Sequence, residues 1–554
     1  RLRLLLLVAP VLLLPLASGQ DGPRVVLEPG FLHLRNADPR EWSSFPEKAD
    51  ADRIEVAFDL DAPESFRLLT WRQEETKQPW SVQLNGRRLA TLPRDHNRLE
   101  HGIEIPAGLL RATGNLLEIA TASETPDDIR IGGLVLRDSV QALAEGERAE
   151  RLFQQRGMRR ALPAMTATVR LAATEDGQAL PCRFTILDAE TGALAFVGAE
   201  SDDRIAVREG VVYALDGKAT VRLAGDAAEP RRYRIYCGRG FEYSLGREEL
   251  VVDGSRADAS LAFALRREVP TPGLVSCDPH LHTFEFDRHG DCSLVEQLIV
   301  LAGEGIEFPV SAGHDQRIDY REEADRIGAS RWFTPVAGCE VTTGLGHFNA
   351  FPVDPGAPPI EHKLRPWPQL FRNIYATPGV KVCVLNHGRD LHLKFRPLDP
   401  ENFDSAGGVF KHGWKLEANA MELVNSGAQQ TDPMRLVRDW FALLRSGHRL
   451  AGIGASDSHT VNFAIPGQAR TYLEAPDADP SAIDVTAAVG SILKGRTWVS
   501  FGLLARLDLA PDGGGATVQV LGPGWTRAER LRLFRNGEEV ASLAIPAKTP
   551  RDRE

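Results

Sequence analysis

Long apolar stretches are nearly absent. Beyond the run from Leu4 to Leu16, no segment is apolar enough to cross a bilayer, which excludes a polytopic membrane body. Charge of one sign is not concentrated either: the net charge is −11, with acidic and basic residues interspersed. That pattern argues against a polyanion-binding surface, so nucleic acid is not an expected partner. Cysteine is scarce, with six residues and no CxxC pair among them, which disfavours a structural zinc knuckle. No internal repeat is detectable.

What is present begins with Arg1 and Arg3, the apolar run, and the small residues Ala17, Ser18 and Gly19. Residues 1–20 read as an export signal cleaved near Gly19 or Gln20, with a periplasmic or extracellular destination. The mature chain is then expected to be soluble, or tethered only by its N-terminus. No Cys follows the run, so a lipid anchor there is not supported. Export permits disulfides, and Cys182 with Cys237 is a candidate pair within one β-rich region. Cys277, Cys292, Cys339 and Cys383 lie on or beside expected strands and read as buried thiols.

Four textures follow one another. Residues 21–140 carry short alternating runs such as Arg53-Ile-Glu-Val-Ala-Phe and Trp80-Ser-Val-Gln-Leu, with Asn85-Gly86 as a hairpin signal, and predict a β-sandwich. Its pattern is similar to galactose-binding-like jelly rolls; sugar binding does not follow from that likeness, and glycan binding by this module stays an open option. Residues 141–162 are charged and helix-favouring, a helical linker. Residues 163–270 return to alternation and resemble an immunoglobulin-like or carboxypeptidase-regulatory-like sandwich. From 271 to 502 apolar strands alternate with helical stretches near Ser293–Gly303 and Trp367–Tyr375, the pattern of a parallel sheet able to close into a barrel. A C-terminal β segment, 503–554, stops short of a full domain and reads as truncated.

The histidines are clustered: eleven of fourteen lie between His280 and His459. His280-Leu-His282 stands at a strand end, where alternate residues face one side and both imidazoles reach one pocket. Asp457-Ser-His459 repeats that geometry after the strand Ala451-Gly-Ile-Gly-Ala. His314, Glu340, His347 and His387 each close, or just follow, an apolar run. Side chains at the C-terminal ends of parallel strands converge on one mouth, where such barrels hold their chemistry.

In order, Asp278-Pro-His-Leu-His-Thr283, His289-Gly-Asp291, Ala312-Gly-His-Asp315, Gly338-Cys-Glu-Val-Thr-Thr343, Gly346-His-Phe-Asn349, Asn386-His-Gly388, Glu422-Leu-Val-Asn425 and Ala455-Ser-Asp-Ser-His459 resemble the motifs of the PHP (polymerase and histidinol phosphatase) metallohydrolase domain. The secreted CehA/McbA-like branch is the nearest in pattern, including its N-terminal β modules. The resemblance implies a multi-domain chain: two all-β sandwiches, then an α/β distorted (βα)7 PHP-type barrel holding two or three divalent ions. One ion would be held by His280, His282, Glu340 and Asp457, and Glu340 would bridge to a second held by His347 and His387. A third would take His314, His459 and either Asp291 or His289, with Asp291 preferred because it precedes a helix start. The sequence departs from the family where Gly313, not Asp, precedes His314, and where Gly388 follows His387 in place of the frequent Pro.

The mixture of imidazole and carboxylate suits zinc, manganese or iron better than calcium. A divalent ion lowers the pKa of bound water from about 15.7 toward 7, so metal-activated water is the expected nucleophile. The bond to be cleaved is a phosphoester or an amide or carbamate, in a small-molecule or oligomeric substrate. Arg389, with His392, Lys394 and Arg396 nearby, is a candidate for an anionic substrate group, and Glu422 for lining the pocket. The catalytic candidates are thus Asp457, Glu340, Arg389 and Glu422. The rival reading is a catalytically degenerate, metal-containing barrel that binds glycans or surfaces.

Overall fold

The computed structural model describes residues 24–137 and 165–546, apart from 39, 41–44, 77, 93–98, 124–125, 191, 193, 288–290, 364–365, 391–394, 429–431 and 511–514. The expected export signal, the linker at 141–162, and His289, His392 and Lys394 lie outside the described residues. The chain is β-rich and multi-domain, with six α-helices among the described residues. It forms two compact units, one running up to Ala161 and the other from Leu162 onward. No described helix is long and apolar enough to cross a membrane.

In the first unit, alternation gives strands with one buried face. Ile54–Phe58 and Asn115–Ala120 each bury every second side chain. Two four-stranded antiparallel sheets result. Their common core holds Trp71, Trp80, Val82, Leu117 and Ile131. Asn85 and Gly86 adopt φ of 52° and 77°, the left-handed pair a two-residue hairpin needs, and join Ser81–Leu84 to Arg87–Thr91.

The second unit opens with two more sheets. One is built on Met165–Glu175, flanked by Lys218–Ala224 and Asp258–Ala264; the other runs Ile205–Arg208, Val211–Ala214, Cys182–Asp188, Arg231–Gly238, Gly246–Val252. Phe184, Val221, Ile235, Cys182 and Cys237 pack between them. All six cysteines, Cys182 and Cys237 among them, are buried free thiols.

Between Leu274 and Ser500 the strands lie in two mixed sheets, apart from the small pair Phe403–Asp404 and Val409–Phe410. Two antiparallel pairs, Leu504–Leu509 with Ala516–Leu521 and Arg530–Arg535 with Glu538–Ala544, make up the C-terminal segment. One mixed sheet is ordered Phe308–Ser311, Leu274–Leu281, Arg470–Glu474, Thr497–Ser500. The other runs Cys339–Thr343, Gly346–Phe351, Val382–Leu385, Ala420–Asn425, Ala451–Ala455. Pairing is parallel only between Leu274–Leu281 and Phe308–Ser311, and on the two sides of Ala420–Asn425. The wholly parallel sheet expected from βα alternation is corrected here: Thr343 and Gly346 turn the chain straight back with no helix between, so Cys339–Thr343 and Gly346–Phe351 are antiparallel. Single parallel bridges, Leu281 to Ser458 and His314 to Glu340, link the two sheets at the ends that carry the histidines. Leu274–Leu281 is buried throughout, as a strand covered on both faces must be.

The helix Leu294–Glu304 ties this region to the preceding sandwich. Ser293 and Glu296 form a reciprocal capping box at its start. Every residue from Glu296 to Glu304 is buried. Leu298, Ile299 and Leu301 share one core with Ala206, Val211 and Tyr213 of the sandwich. Charged groups seal the same seam: Arg208 reaches Asp291 at 3.0 Å and Glu296 at 2.8 Å, and Tyr213 donates to Glu304 at 2.7 Å.

Candidate metal centre

His280 is the penultimate residue of the strand Leu274–Leu281, and His282 follows its end. Alternation turns both to one side, with ring centroids 5.0 Å apart. Glu340 comes from Cys339–Thr343, His347 from Gly346–Phe351, and His387 from the turn after Val382–Leu385. Asp457 and His459 follow Ala451–Ala455. Asp457 sits at φ 53°, a left-handed conformation that Asp tolerates better than most residues and that angles its carboxylate back toward the histidines.

Glu340 is central. Its Oε1 lies 3.3 Å from His280 Nε2, His347 Nδ1 and His387 Nε2, and its Oε2 lies 2.8 Å from His314 Nδ1. Asp457 Oδ1 stands 3.3 Å from both His280 Nε2 and His282 Nε2, and 3.8 Å from His459 Nδ1. The rings of His282 and His459 stack at 4.1 Å, and His314 lies 4.6 Å from His282. Three donor groups follow, each with ligand atoms within 4.8 Å of one another: His282, His314 and His459; His280, Glu340 and His387; and His280, His282 and Asp457.

These donors fit divalent cations. Two ligand atoms about 2.1 Å from one ion at a tetrahedral angle stand about 3.4 Å apart, close to the separations that recur here. Nε2 of His280 is buried and makes no hydrogen bond, although two carboxylate oxygens lie 3.3 Å away. A buried nitrogen left without a hydrogen bond is costly unless something else satisfies it. The local charge asks for the same thing. Burial alone would lower the His280 pKa, but Asp457, Glu422 and Glu340 outweigh it and hold it well above the usual value. Burial opposes ionisation of Glu340 as well, yet His280 and His347 keep its carboxyl well below the usual range.

Glu422 supports the ligands from behind. Its Oε1 lies 2.7 Å from Nδ1 of His280 and its Oε2 accepts from the backbone N–H of His387 at 2.6 Å. An acceptor on Nδ1 fixes the tautomer and leaves Nε2 for the cation. Asn386 donates to Glu340 at 2.9 Å, and Asn425 to Asp457 at 3.3 Å.

Two sequence candidates face elsewhere. Asp291 directs Oδ2 to Arg208 and Oδ1 to the backbone N–H of Val461. Arg389 forms a two-point contact with Asp439, at 2.5 and 3.0 Å. Sequence reasoning missed Asp287, whose Oδ2 stands 3.3 Å from His282 Nδ1 and whose Oδ1 accepts from His314 N–H at 2.7 Å. It also missed Asp278, which accepts from the backbone N–H groups of Ser456 and Gly467 and so anchors the DxH loop to the HxH strand. Asp278 stands immediately before the HxH motif and could have been found there. Asp287, in the short helix Phe284–Asp287, has no local signal distinguishing it from a surface acid.

No family model matches the chain, and no curated protein matches it. Among solved structures it is similar to a two-domain protein from Bacteroides vulgatus containing a predicted PHP-like metal-dependent phosphoesterase. Identity is 18%, the match covers 46% of this chain and 79% of that one, and the TM-score is 0.32. A β-glucuronidase from Ruminococcus gnavus matches over 79% of this chain and 84% of its own, at 9% identity and a TM-score of 0.18.

Proposed function

We propose that this chain is an exported, metal-dependent hydrolase of the PHP type, in the CehA/McbA-like branch, acting on a phosphoester or an amide or carbamate bond. The observation that carries the reading is Glu340: one carboxylate oxygen equidistant, at 3.3 Å, from three imidazole nitrogens that arrive on separate strands. On this reading the two mixed sheets are a distorted (βα)7 barrel spanning 271–502, preceded by a jelly-roll-like and an immunoglobulin-like module.

His280, His282, Glu340 and Asp457 would hold one ion, and Glu340, His347 and His387 a second. His314 and His459 would serve a third, with His282 their nearest imidazole neighbour. When bound, zinc, manganese or iron would supply an acidified water and positive charge against the oxygen that becomes negative as the bond breaks. The chain does the rest. Glu340 and Asp457 stay ionised, Glu422 accepts at Nδ1 of His280 and so orients its Nε2 toward the position the cation would take, and the buried surroundings exclude competing water. Export is supported by the apolar run behind Arg1 and Arg3.

The test pairs elemental analysis of purified protein with turnover of p-nitrophenyl phosphate, phosphodiester, ester and carbamate probes in added manganese or zinc. The expected result is at least one transition metal per chain and hydrolysis of one probe class. Less than one metal per chain with no turnover would sink the hydrolase reading in favour of a binding protein.

A further inference from the structure

A cavity of about 440 Å³ lies along the helix Pro433–Arg445, walled by Arg389, Phe403, Arg435, Arg438, Asp439 and Arg445 among others. No ligand of the candidate metal centre lines it. On the helix, positions 435, 438 and 445 share one face, so three guanidinium groups line one wall. Arg389 forms the floor and is only 7% exposed.

Charge balance in this cavity is incomplete. Arg389 is paired with Asp439, Arg438 with Asp432 at 2.8 Å, and Arg396 with Asp399 at 2.7 Å. Arg435 has no ion-pair partner among the described residues, and Arg445 donates only to the carbonyl of Asn536, at 3.2 Å. Two positive charges are therefore in surplus, on a chain whose net charge is −11. At the floor, Nη1 of Arg389 is buried with no hydrogen-bond partner; the nearest carboxylate oxygen, on Asp399, is 3.7 Å away. A guanidinium N–H removed from water with its fork half used is an open donor for an oxyanion. Phe403 and Phe441 supply apolar wall beside it.

We propose that this cavity is a second ligand site, taking a small organic phosphate whose oxyanion meets Arg389, Arg435 and Arg445 and whose body lies against Phe403 and Phe441. The site does not depend on metal, nor on the hydrolase reading. Inorganic phosphate offers the same oxyanion without the apolar body, so it binds more weakly.

The test is calorimetric titration of the full chain with phenyl phosphate and with inorganic phosphate, in EDTA to silence any metal centre. The expected result is saturable binding in EDTA, tighter for phenyl phosphate, and weakened about tenfold or more for both by Arg435→Glu with Arg445→Glu. Those two side chains are exposed, so the variant keeps its fold, checked by an unchanged Tm. Arg389 is avoided because its removal strands the buried Asp439 carboxylate. Absence of binding in EDTA, binding that survives charge reversal, or equal affinity for the two probes would overturn the proposal.

Discussion

At the scale of single residues the centre depends on a few groups with no substitute. Asp457 offers one oxygen to both HxH imidazoles from a left-handed turn. Asp457→Ala is expected to bring metal-dependent turnover down to background while circular dichroism stays unchanged. Retained turnover would remove Asp457 from the ligand set. Glu422 acts through His280 and the His387 backbone, so it is a positioning residue. Glu422→Gln preserves its shape but weakens the acceptor facing Nδ1, and about 10- to 100-fold weaker metal affinity is expected with the fold intact. A chelator competition titration reads this directly, and unchanged affinity would make Glu422 a bystander.

At the scale of elements, the helix Leu294–Glu304 is the most constrained. A Cβ at Gly303 would meet Tyr213 Cδ1 at 2.6 Å and Cys182 O at 3.3 Å. Alanine favours helix over glycine by about 1 kcal/mol, but overpacking in a tight core costs about 1–3 kcal/mol. Gly303→Ala is therefore expected to lower Tm, and a rise would show that the seam can yield. At the next strand's start, Glu307 is pushed up to about 7 by burial and the neighbouring Glu242 carboxylate. A carboxyl raised in the folded state costs nothing where both states are protonated, below about pH 4.5, and its cost is complete above about pH 7. Glu307→Gln, which can still accept from the Ser276 N–H, is expected to raise Tm at pH 8 by removing at most about 3 kcal/mol of strain. At pH 4 the same change leaves Tm where it was, and a pH-independent effect would refute the assignment.

Legibility follows the range of the interaction. The Asn85-Gly86 hairpin and the strands around His280, Glu340 and Asp457 are written in local alternation and turn chemistry, and those elements stand where the sequence suggests. The convergence of His280, His282, His314, Glu340, His347, His387, Asp457 and His459 was foreseeable from their strand-end positions. What the sequence concealed is nonlocal. The antiparallel return at Gly346 depends on a partner strand, the Arg208 contact that occupies Asp291 depends on a residue far upstream, and Arg389's turn toward Asp439 depends on a distant helix. No periodicity encodes such pairings.

At the scale of the whole molecule, ligand binding and folding are linked. Ions that bind only the native second unit stabilise it by about 2.7 kcal/mol when present at a hundred times their dissociation constant. Calorimetry in EDTA is expected to lower the melting transition of the unit beginning at Leu162 and leave that of the N-terminal unit in place. A chelator effect on both transitions, or on neither, would contradict this.

The helix Leu294–Glu304 has two owners, because it shares one hydrophobic interior with Ala206, Val211 and Tyr213 of the preceding sandwich as well as with Leu281, Ile306 and Phe333 of its own region. A histidine-bearing fragment begun at residue 271 would strip this core of Ala206, Val211 and Tyr213 and leave the helix face around Gly303 open to water, and it would be expected to precipitate on expression. Swapping the upstream module for an unrelated spacer would therefore fail for reasons of solubility before any question of catalysis arose.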